Sequence, residues 1–381
     1  MTHALRVASL ALTLSAYFAS TAVAQPRISR GVIEEATGFV VETVVDGLEY
    51  PWGMTWLPDG TMLITECFGS IRVVREGLLL GAAIPFPVDV SAGGDGGITV
   101  GQGGLLDIAA SPSFEGDRLL FFTYSTGSGT ANRTHVGRAR WTGEGLEDFR
   151  EIFRNADDKT QGQHFGSRIE FLPDGTLLVS IGDGGNPPIQ FAGDDIRRQA
   201  QNLRTHFGSV IRISPDGSVP EDNPFIGHTE ARPEIWSYGH RNAQGLVRDP
   251  QTGTIWENEH GAAGGDELNR IKPGANYGWP NATYSRNYSD GTLISYRISG
   301  ERWQNPVVVW MDTHAPASLE LYNGKAFPDW RGSLLSAGLV SRDLRLITPR
   351  EGKRAREQRI PLGYRVRDVD TGSDGRSLHT D

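Results

Sequence analysis

Polar side chains stand directly before several short apolar runs of this chain. They share one position, the start of a strand-like unit, and they are Gln102, His164, Arg241, Asn242 and His314. An imidazole titrates near neutral pH and can therefore exchange protons with a ligand. One histidine at a strand start is more often a structural hydrogen-bonding group, but recurrence at the same place in successive units favours a shared site.

A second candidate for chemistry is the loop Glu259–Asn269, which contains three glycines. Glycines in a short loop leave backbone carbonyls free, and Asp266 and Glu267 add two carboxylates. Surroundings rich in oxygen and poor in nitrogen and sulfur suit a hard cation, so Ca²⁺ is expected before Zn²⁺. The pattern is not an EF-hand, and a solvated acidic turn is the open alternative.

Several enzyme and partner classes are disfavoured by what the sequence lacks. It contains no G-x-S-x-G, P-loop, C-x-x-C or H-E-x-x-H motif, and Gly101–Gly104 is not followed by the helix of a dinucleotide fingerprint. The balance of 37 Lys and Arg against 46 Asp and Glu gives a net charge of −9 without a basic block. Nucleic acid and anionic membranes are therefore not expected partners.

The elements that must position the polar residues form a repeat. Each unit joins two short apolar runs through Gly, Pro or Asp, which supply the backbone angles of a tight turn. The six units begin at Pro51, Leu105, Arg168, Gly245, Ser318 and Val366. Short strands at this density, unequally spaced, predict an all-β, six-bladed β-propeller with long inter-blade loops. Equivalent strand starts converge on one end of a propeller channel, so the polar residues should meet there.

The first residues have the pattern of an export signal. Arg6 precedes the mainly apolar stretch Val7–Ala19, and Ala22–Ala24 resembles a signal-peptidase site. The apolar stretch is too short for a membrane-spanning helix. We therefore expect a signal peptide at residues 1–24, a single β-propeller domain at 25–381, and a periplasmic location without a membrane span.

Three motifs in order carry a resemblance to a known family. Tyr238–Gly245, Glu259–Glu267 and Asn276–Pro280 resemble the glucose/sorbosone dehydrogenase family, and within it the soluble, PQQ-dependent aldose sugar dehydrogenases. Gln102–Asp107 and the unit that begins with His164 match as well. The likeness runs from about residue 40 to the end of the chain.

The resemblance implies pyrroloquinoline quinone (PQQ) and Ca²⁺ bound over the channel of a six-bladed propeller. The expected reaction is oxidation of an aldose at C1 to the lactone, with hydride transfer to PQQ and an external electron acceptor. By motif, His164 would be the general base for the anomeric hydroxyl. Asp183 would orient and charge-stabilise His164, and Arg241 would stabilise the negative charge on a quinone oxygen.

The resemblance also implies which residues contact PQQ. Gln102 and Asn242 would hold PQQ or the substrate by hydrogen bonds, and Tyr288 would pack on PQQ. Arg342 and Arg345 match a basic stretch that meets the PQQ carboxylates. Because PQQ carries three carboxylates, an arginine-rich pocket is physically expected.

The same resemblance implies two calcium positions. The carbonyls of Gly261 and Ala262 would hold the PQQ-bound calcium, which polarises the reacting carbonyl as a Lewis acid. Glu267 and the backbone of Tyr277 would hold a second, structural calcium. Ala262 stands where family members often have proline. The alanine keeps the backbone carbonyl but loosens the loop.

Two alternative hypotheses for the function are open. The first alternative is a calcium-dependent hydrolase, such as a lactonase, on the same architecture, since one fold hosts many activities. The second is a propeller that binds a carbohydrate or a partner without PQQ. The chain stops where relatives usually complete another strand or two, so the last blade is either closed by a strand near Gly38–Val45 or incomplete. The aldose and the oligomeric state are not specified.

Overall fold

The computed structural model describes residues 25–91, 102–186, 189–372, 374–375 and 377–380. The signal peptide predicted at residues 1–24 lies outside these ranges, and the division into 1–24 and 25–381 stays a prediction. In the described part of the chain, no helix combines the length and the apolar character that a membrane crossing requires.

Nearly all of the regular structure is β-strand, in agreement with the predicted all-β class. The strands are β1 (Arg27–Ser29), β2 (Pro51–Trp56), β3 (Met62–Glu66), β4 (Ser70–Arg75), β5 (Leu78–Pro85), β6 (Leu105–Ala110), β7 (Leu119–Gly127), β8 (Asn132–Trp141), β9 (Leu146–Arg154), β10 (Ile169–Phe171), β11 (Leu177–Ile181), β12 (Gln190–Phe191), β13 (Asp194–Asp195), β14 (Ser209–Ile213), β15 (Ile235–Tyr238), β16 (Ala243–Arg248), β17 (Ile255–Glu259), β18 (Asp266–Ile271), β19 (Val308–Trp310), β20 (Pro316–Tyr322), β21 (Ser333–Gly338), β22 (Asp343–Thr348), β23 (Arg356–Pro361), β24 (Asp368–Thr371) and β25 (Ser377–Thr380). The helical segments are α1 (Phe114–Asp117) and two 3₁₀ turns, Ile196–Gln201 and Pro328–Trp330.

The sheets form a propeller. Five antiparallel meanders are blades, namely β2–β5, β6–β9, β10-β11-β14-β15, β16–β19 and β20–β23. Their innermost strands contact one another in ring order, and β24 closes the ring between β20 and β2. The predicted propeller class is therefore confirmed.

The predicted count of six blades is wrong for the described residues. The sixth repeat unit supplies the two-stranded sheet β24–β25 and no further strands. The segment Gly38–Val45, considered as a closing strand, contains no strand. The strand β1 instead pairs in parallel with β19 at the outer edge of the fourth blade. The repeat in the sequence reports hairpins, and a hairpin supplies only two of the four strands of a blade.

The hairpin turns follow directly from the Pro-Asp-Gly-Thr sequences. In segments 58–61 and 173–176 the aspartate side chain accepts a hydrogen bond from the threonine N–H two positions later, at 2.9 and 3.0 Å. The glycine between them has φ of +83° in the first turn and +82° in the second. Glycine adopts this left-handed conformation without steric cost, so the same four residues build the same turn in two blades.

The apolar core lies between neighbouring blades. Phe122 on β7 packs with Leu63 of the first blade, whereas the adjacent residue Phe121 packs with Val179 of the third blade. Successive side chains of a strand point to opposite faces of the sheet. The second blade, which contains β7, is therefore apolar on both faces, as a sheet between two others must be.

A buried arginine joins three blades at the centre of the ring. The Arg168 guanidinium pairs with Asp107 on β6 at 2.9 Å and with Asp368 on β24 at 3.1 Å. Its Nε–H donates to the carbonyl of Gln244 on β16, at 3.0 Å. The Asp368 carboxylate also accepts the N–H of Met54 on β2. The sheet β24–β25 is thus fixed to the ring by charge as well as by packing.

Candidate active site

Polar residues that precede three of the inner strands lie close together. The Gln102 side-chain oxygen accepts the backbone N–H of His164 at 3.0 Å. The Asn242 side-chain oxygen accepts the backbone N–H of Gly166 at 3.1 Å. The segments before β6, β10 and β16 are therefore joined by side chains that were candidates for ligand binding, and these two oxygens position the His164 loop.

His164 forms a short hydrogen bond with the second predicted catalytic residue. Its Nδ1 lies 2.6 Å from Asp183 Oδ1. The other carboxylate oxygen of Asp183 accepts the indole N–H of Trp279 at 2.7 Å. A carboxylate on Nδ1 fixes the tautomer and the ring orientation, which leaves Nε2 as the nitrogen available to a ligand. His164 is 4% exposed and has a φ of +50°, so the loop holds it in a conformation uncommon for non-glycine residues.

The electrostatic surroundings favour the neutral form of His164. Burial lowers the pKa of His164 below its ordinary value of 6.5, and the charges of Arg241 and Lys159 lower it further. The Asp183 carboxylate opposes this shift without reversing it. An imidazole that is neutral at pH 7 can accept a proton, so the arrangement suits a general base.

A glycine allows the loop of His164 to lie this close to Asp183. A Cβ at Gly182 would lie 2.1 Å from the backbone oxygen of His164 and 2.9 Å from Asn242 Oδ1. Any larger residue at this position would displace one of these groups. The sequence Ile181-Gly182-Asp183 at the end of β11 therefore places the carboxylate within hydrogen-bonding distance of the imidazole.

Arg241 is held beside the same pair. Its side chain donates to the carbonyl of His260 at 3.2 Å, and its guanidinium carbon lies 5.4 Å from the centroid of the Trp279 ring. Its backbone N–H donates to the Glu259 carboxylate, and its carbonyl accepts the N–H of Asp183. Arg241 is 3% exposed. A fixed positive charge therefore lies next to the base.

Three of the four predicted metal-binding residues line one small cavity. Gly261, Glu267 and Tyr277 surround a space of about 10 Å³, together with Glu259 and Arg241. This is close to the space that one water molecule requires. Burial and the charge of Glu259 raise the pKa of Glu267 well above its ordinary value. The two buried carboxylates of Glu259 and Glu267 exceed the single positive charge of Arg241, and an oxygen-lined cavity of this kind fits a hard cation such as Ca²⁺.

The fourth predicted metal residue, Ala262, lines a neighbouring cavity of about 50 Å³. Arg241, Trp279 and Tyr288 line this cavity as well, and Tyr288 is 58% exposed. Aromatic rings beside an arginine suit a flat anionic ligand, because the rings stack and the guanidinium pairs with carboxylates. The donor set therefore fits PQQ, and Arg241 and Trp279 connect it to the metal cavity.

Other predicted residues lie apart from this group. The Arg345 guanidinium is paired with Asp343 at 2.9 Å and with Glu357 at 3.1 Å, within the fifth blade. Arg342 is exposed in the turn between β21 and β22. His314 uses both ring nitrogens in hydrogen bonds to serines. The structure does not bring these three side chains into contact with His164.

Two further residues of the site were not predicted from the sequence. Trp279 belongs to the motif Asn276–Pro280, so its position in that motif was a usable signal. Lys159 had no such signal. Its ammonium donates to Asn132 at 2.9 Å and lies 3.8 Å from the centroid of the Phe165 ring. Burial lowers the pKa of Lys159 to about 7, against the opposing charge of Asp183.

Comparisons with known proteins agree with this geometry. An uncharacterized protein from Synechocystis sp. is 50% identical over 334 residues, which are 87% of this chain and 81% of the relative. The solved apo-form of the soluble aldose sugar dehydrogenase from Escherichia coli is 36% identical, with a TM-score of 0.80 over 89% of this chain and 94% of that one. The PQQ-bound aldose sugar dehydrogenase from Streptomyces coelicolor is 29% identical, with a TM-score of 0.67 over 87% of each chain. The family model for Glucose / Sorbosone dehydrogenase matches residues 48–380, and the chain belongs to this family.

Proposed function

We propose that this protein is a PQQ-dependent aldose dehydrogenase that oxidises its sugar at C1 to the lactone. The observation that carries the proposal is the buried pair of His164 and Asp183, joined at 2.6 Å beside Arg241. The family membership and the PQQ-bound relative support the same reaction.

The chain's own residues have defined tasks in this proposal. Nε2 of His164 takes the proton of the anomeric hydroxyl, while Asp183 keeps the proton on Nδ1 and balances the resulting imidazolium. Arg241 supplies fixed positive charge where negative charge develops, at no cost of reorganisation. When bound, PQQ supplies the quinone that accepts the hydride from C1, and calcium acts on it as a Lewis acid.

The binding assignments are part of the same proposal. Tyr288 would stack on PQQ, and the amide groups of Gln102 and Asn242 would face the cofactor or the sugar. The PQQ-bound calcium would take the carbonyls of Gly261 and Ala262. The assignment of Arg342 and Arg345 to the PQQ carboxylates stays a prediction. The Arg345 guanidinium is already paired with two buried carboxylates of the protein.

The second calcium would take Glu267 and the backbone of Tyr277. Their shared cavity and the buried charge of Glu267 support this assignment. Export by the predicted signal peptide would place the enzyme in the periplasm, where an external acceptor would reoxidise PQQ.

The direct test is optical. PQQ and Ca²⁺ are added to the purified protein, and the absorption spectrum is recorded before and after an aldose such as glucose. We expect loss of the quinone band and appearance of the quinol spectrum. The variant His164→Ala should bind PQQ and leave it oxidised, with turnover reduced by about 10²–10⁴-fold.

Two outcomes would contradict the proposal. If His164→Ala reduces PQQ as fast as the unmodified protein, His164 is not the base. If no PQQ binds in the presence of Ca²⁺, the protein is not a PQQ enzyme. Hydrolysis of a lactone under those conditions would then support the calcium-dependent hydrolase.

A further inference from the structure

We propose that His240, Glu257 and Glu259 form a binding site for a divalent transition-metal ion of the Zn²⁺ class. The three side chains lie in the interior of the fourth blade, and their nearest ligand atoms are within 4.8 Å of one another. This site adjoins the cavity proposed for the second calcium, because Glu259 also lines that cavity and Tyr277 stacks on His240, and it does not depend on PQQ.

The strand β17 brings the two carboxylates together. Glu257 and Glu259 are two positions apart, so both point to the same face of the sheet. Asn269, opposite Glu257 on β18, donates its side-chain N–H groups to Glu257 Oε2 at 3.0 Å and to Glu259 Oε1 at 3.1 Å. One amide thus holds both carboxylates in a fixed relation.

The two carboxylates are buried without a cationic side chain. Glu257 is 0% exposed and Glu259 is 4% exposed. Within the described ranges, no lysine or arginine forms an ion pair with either one, and the nearest basic group is the His240 ring. Burying charge in this way is costly unless a positive charge compensates it. A bound cation would supply that charge.

Unpartnered atoms point to where the cation would lie. His240 Nδ1 and Glu257 Oε1 are both buried and have no hydrogen-bond partner. His240 Nδ1 is 3.5 Å from Glu259 Oε1 and 4.0 Å from Glu257 Oε2. Two ligand atoms on a tetrahedral zinc ion are separated by roughly 3.3 Å, given bonds of about 2.0 Å. A small inward movement would therefore bring the three side chains to zinc-ligand separations, and the fourth position of a tetrahedral site would stay open.

The surroundings of His240 orient its ring as in a metal site. The Ser237 hydroxyl lies 2.9 Å from Nε2, and the ring stacks on Tyr277 at 4.6 Å. A hydrogen bond on one ring nitrogen, with the other directed at the metal, is the usual arrangement for a histidine ligand. Ser237 and Tyr277 would thus fix the direction of the Nδ1 lone pair.

The donor set distinguishes the type of ion. Ca²⁺ and Mg²⁺ prefer oxygen ligands alone, whereas one imidazole with two carboxylates suits Zn²⁺ and neighbouring transition metals. The ion would also support the candidate active site, because Glu259 accepts the backbone N–H of Arg241. Through this hydrogen bond the ion would fix the backbone of residues 240–242.

The site is tested by metal content. The full chain is purified from cells supplied with Zn²⁺, dialysed against excess Ca²⁺, and assayed by plasma mass spectrometry. We expect about one zinc per chain. The zinc content of the variants Glu257→Gln and His240→Gln should be lower by about tenfold or more. The variant Ser237→Ala should bind zinc about tenfold more weakly. Glu320→Gln, which changes a carboxylate bonded to Thr371, is the matched control and should keep its zinc.

A measurement on the unmodified chain keeps the test decisive if the variants do not fold. Co²⁺ in place of Zn²⁺ should give the visible absorption bands of a four- or five-coordinate ion. Zinc content far below one ion per chain, or the absence of these bands, would overturn the site.

Discussion

At the scale of single residues, the site is a chain of three side chains. Trp279 donates to Asp183, and Asp183 is bonded to His164. A carboxylate with both oxygens occupied cannot rotate freely, so the indole determines the angle at which Asp183 meets the imidazole. Trp279 is therefore a positioning residue, and its ring also lies against Arg241.

Replacing Trp279 tests this role. We expect Trp279→Phe to lower kcat by about tenfold and to leave KM for the sugar nearly unchanged, because a hydrogen bond to a charged group contributes about 1.5–3 kcal/mol. Steady-state kinetics of the reconstituted enzyme measure both constants. Trp256→Phe, a buried tryptophan of the fourth blade, is the control. A loss confined to KM would assign Trp279 to sugar binding instead.

The pH dependence of catalysis is a second prediction at this scale. Because the pKa of His164 lies below 6.5, the base form persists in mildly acidic solution. We expect the acid limb of kcat/KM to have its midpoint below pH 6.5. Lys159→Met removes a positive charge that lowers this pKa, so the midpoint should move upward. A midpoint above pH 6.5 in the unmodified enzyme, or a downward shift in the variant, would contradict the assignment.

The sequence predicted some of these residues and not others, for a physical reason. Position before a repeat unit was sufficient to propose His164, whereas Asp183 and the catalytic roles came from the resemblance to the family. Trp279 reaches Asp183 across 96 residues of sequence. Lys159 is held by a hydrogen bond to Asn132 and by a cation–π contact with the Phe165 ring. Such contacts are set by tertiary packing, which motif spacing does not encode.

At the scale of elements, the loops between strands carry the site, and the strands fix their separation. The end of β11 lies against the His164 loop so closely that Gly182 has no room for a side chain. The strands themselves are ordinary propeller strands. Most of the functional information therefore lies in short connections whose backbone geometry is tightly constrained.

A methyl group at Gly182 tests this constraint. We expect Gly182→Ala to reduce kcat by at least about tenfold and to lower the free energy of unfolding by roughly 1–3 kcal/mol, since an added methyl group in a packed site forces the backbone to shift. Kinetics and urea unfolding measure the two effects. Gly116→Ala is the control, because a Cβ there meets nothing within 4 Å. Equal behaviour of both variants would contradict the role of the close approach.

The repeat predicted the elements better than it predicted their number per sheet. Paired apolar runs around Gly, Pro or Asp marked the inner hairpin of each unit, and all five blades contain such a hairpin. Outer strands such as β5 and β9 are largely exposed and carry a weaker pattern. The sixth unit shows the consequence, because its hairpin β24–β25 was counted as a full blade.

At the scale of the molecule, one ion-pair cluster integrates the ring. Arg168 is 7% exposed and joins β6, β16 and β24, which lie far apart in the sequence. Burying an arginine and two aspartates costs free energy, because all three charges lose their hydration. If the arginine is removed, the cost of burying the aspartates rises, because no positive charge compensates them.

Removing this cation should destabilise the whole ring. We expect Arg168→Met to lower the free energy of unfolding by about 3–5 kcal/mol, because Asp107 and Asp368 would remain buried and unpaired. Urea unfolding followed by fluorescence measures the change. Arg140→Met, which removes an exposed arginine with two carboxylate partners, should have no resolvable effect. Equal losses in the two variants would show that the buried cluster has no special weight.

The pairing of β1 with β19 has a consequence for the timing of biosynthesis. The ribosome synthesises β1 long before its partner β19. The backbone N–H of Gly31 donates to the Asp312 carboxylate across 281 positions of the sequence. A nascent chain that has not yet reached Val308 offers β1 no partner. The strand β1, the earliest strand in the described residues, can therefore pair only after β19 of the fourth blade has been synthesised.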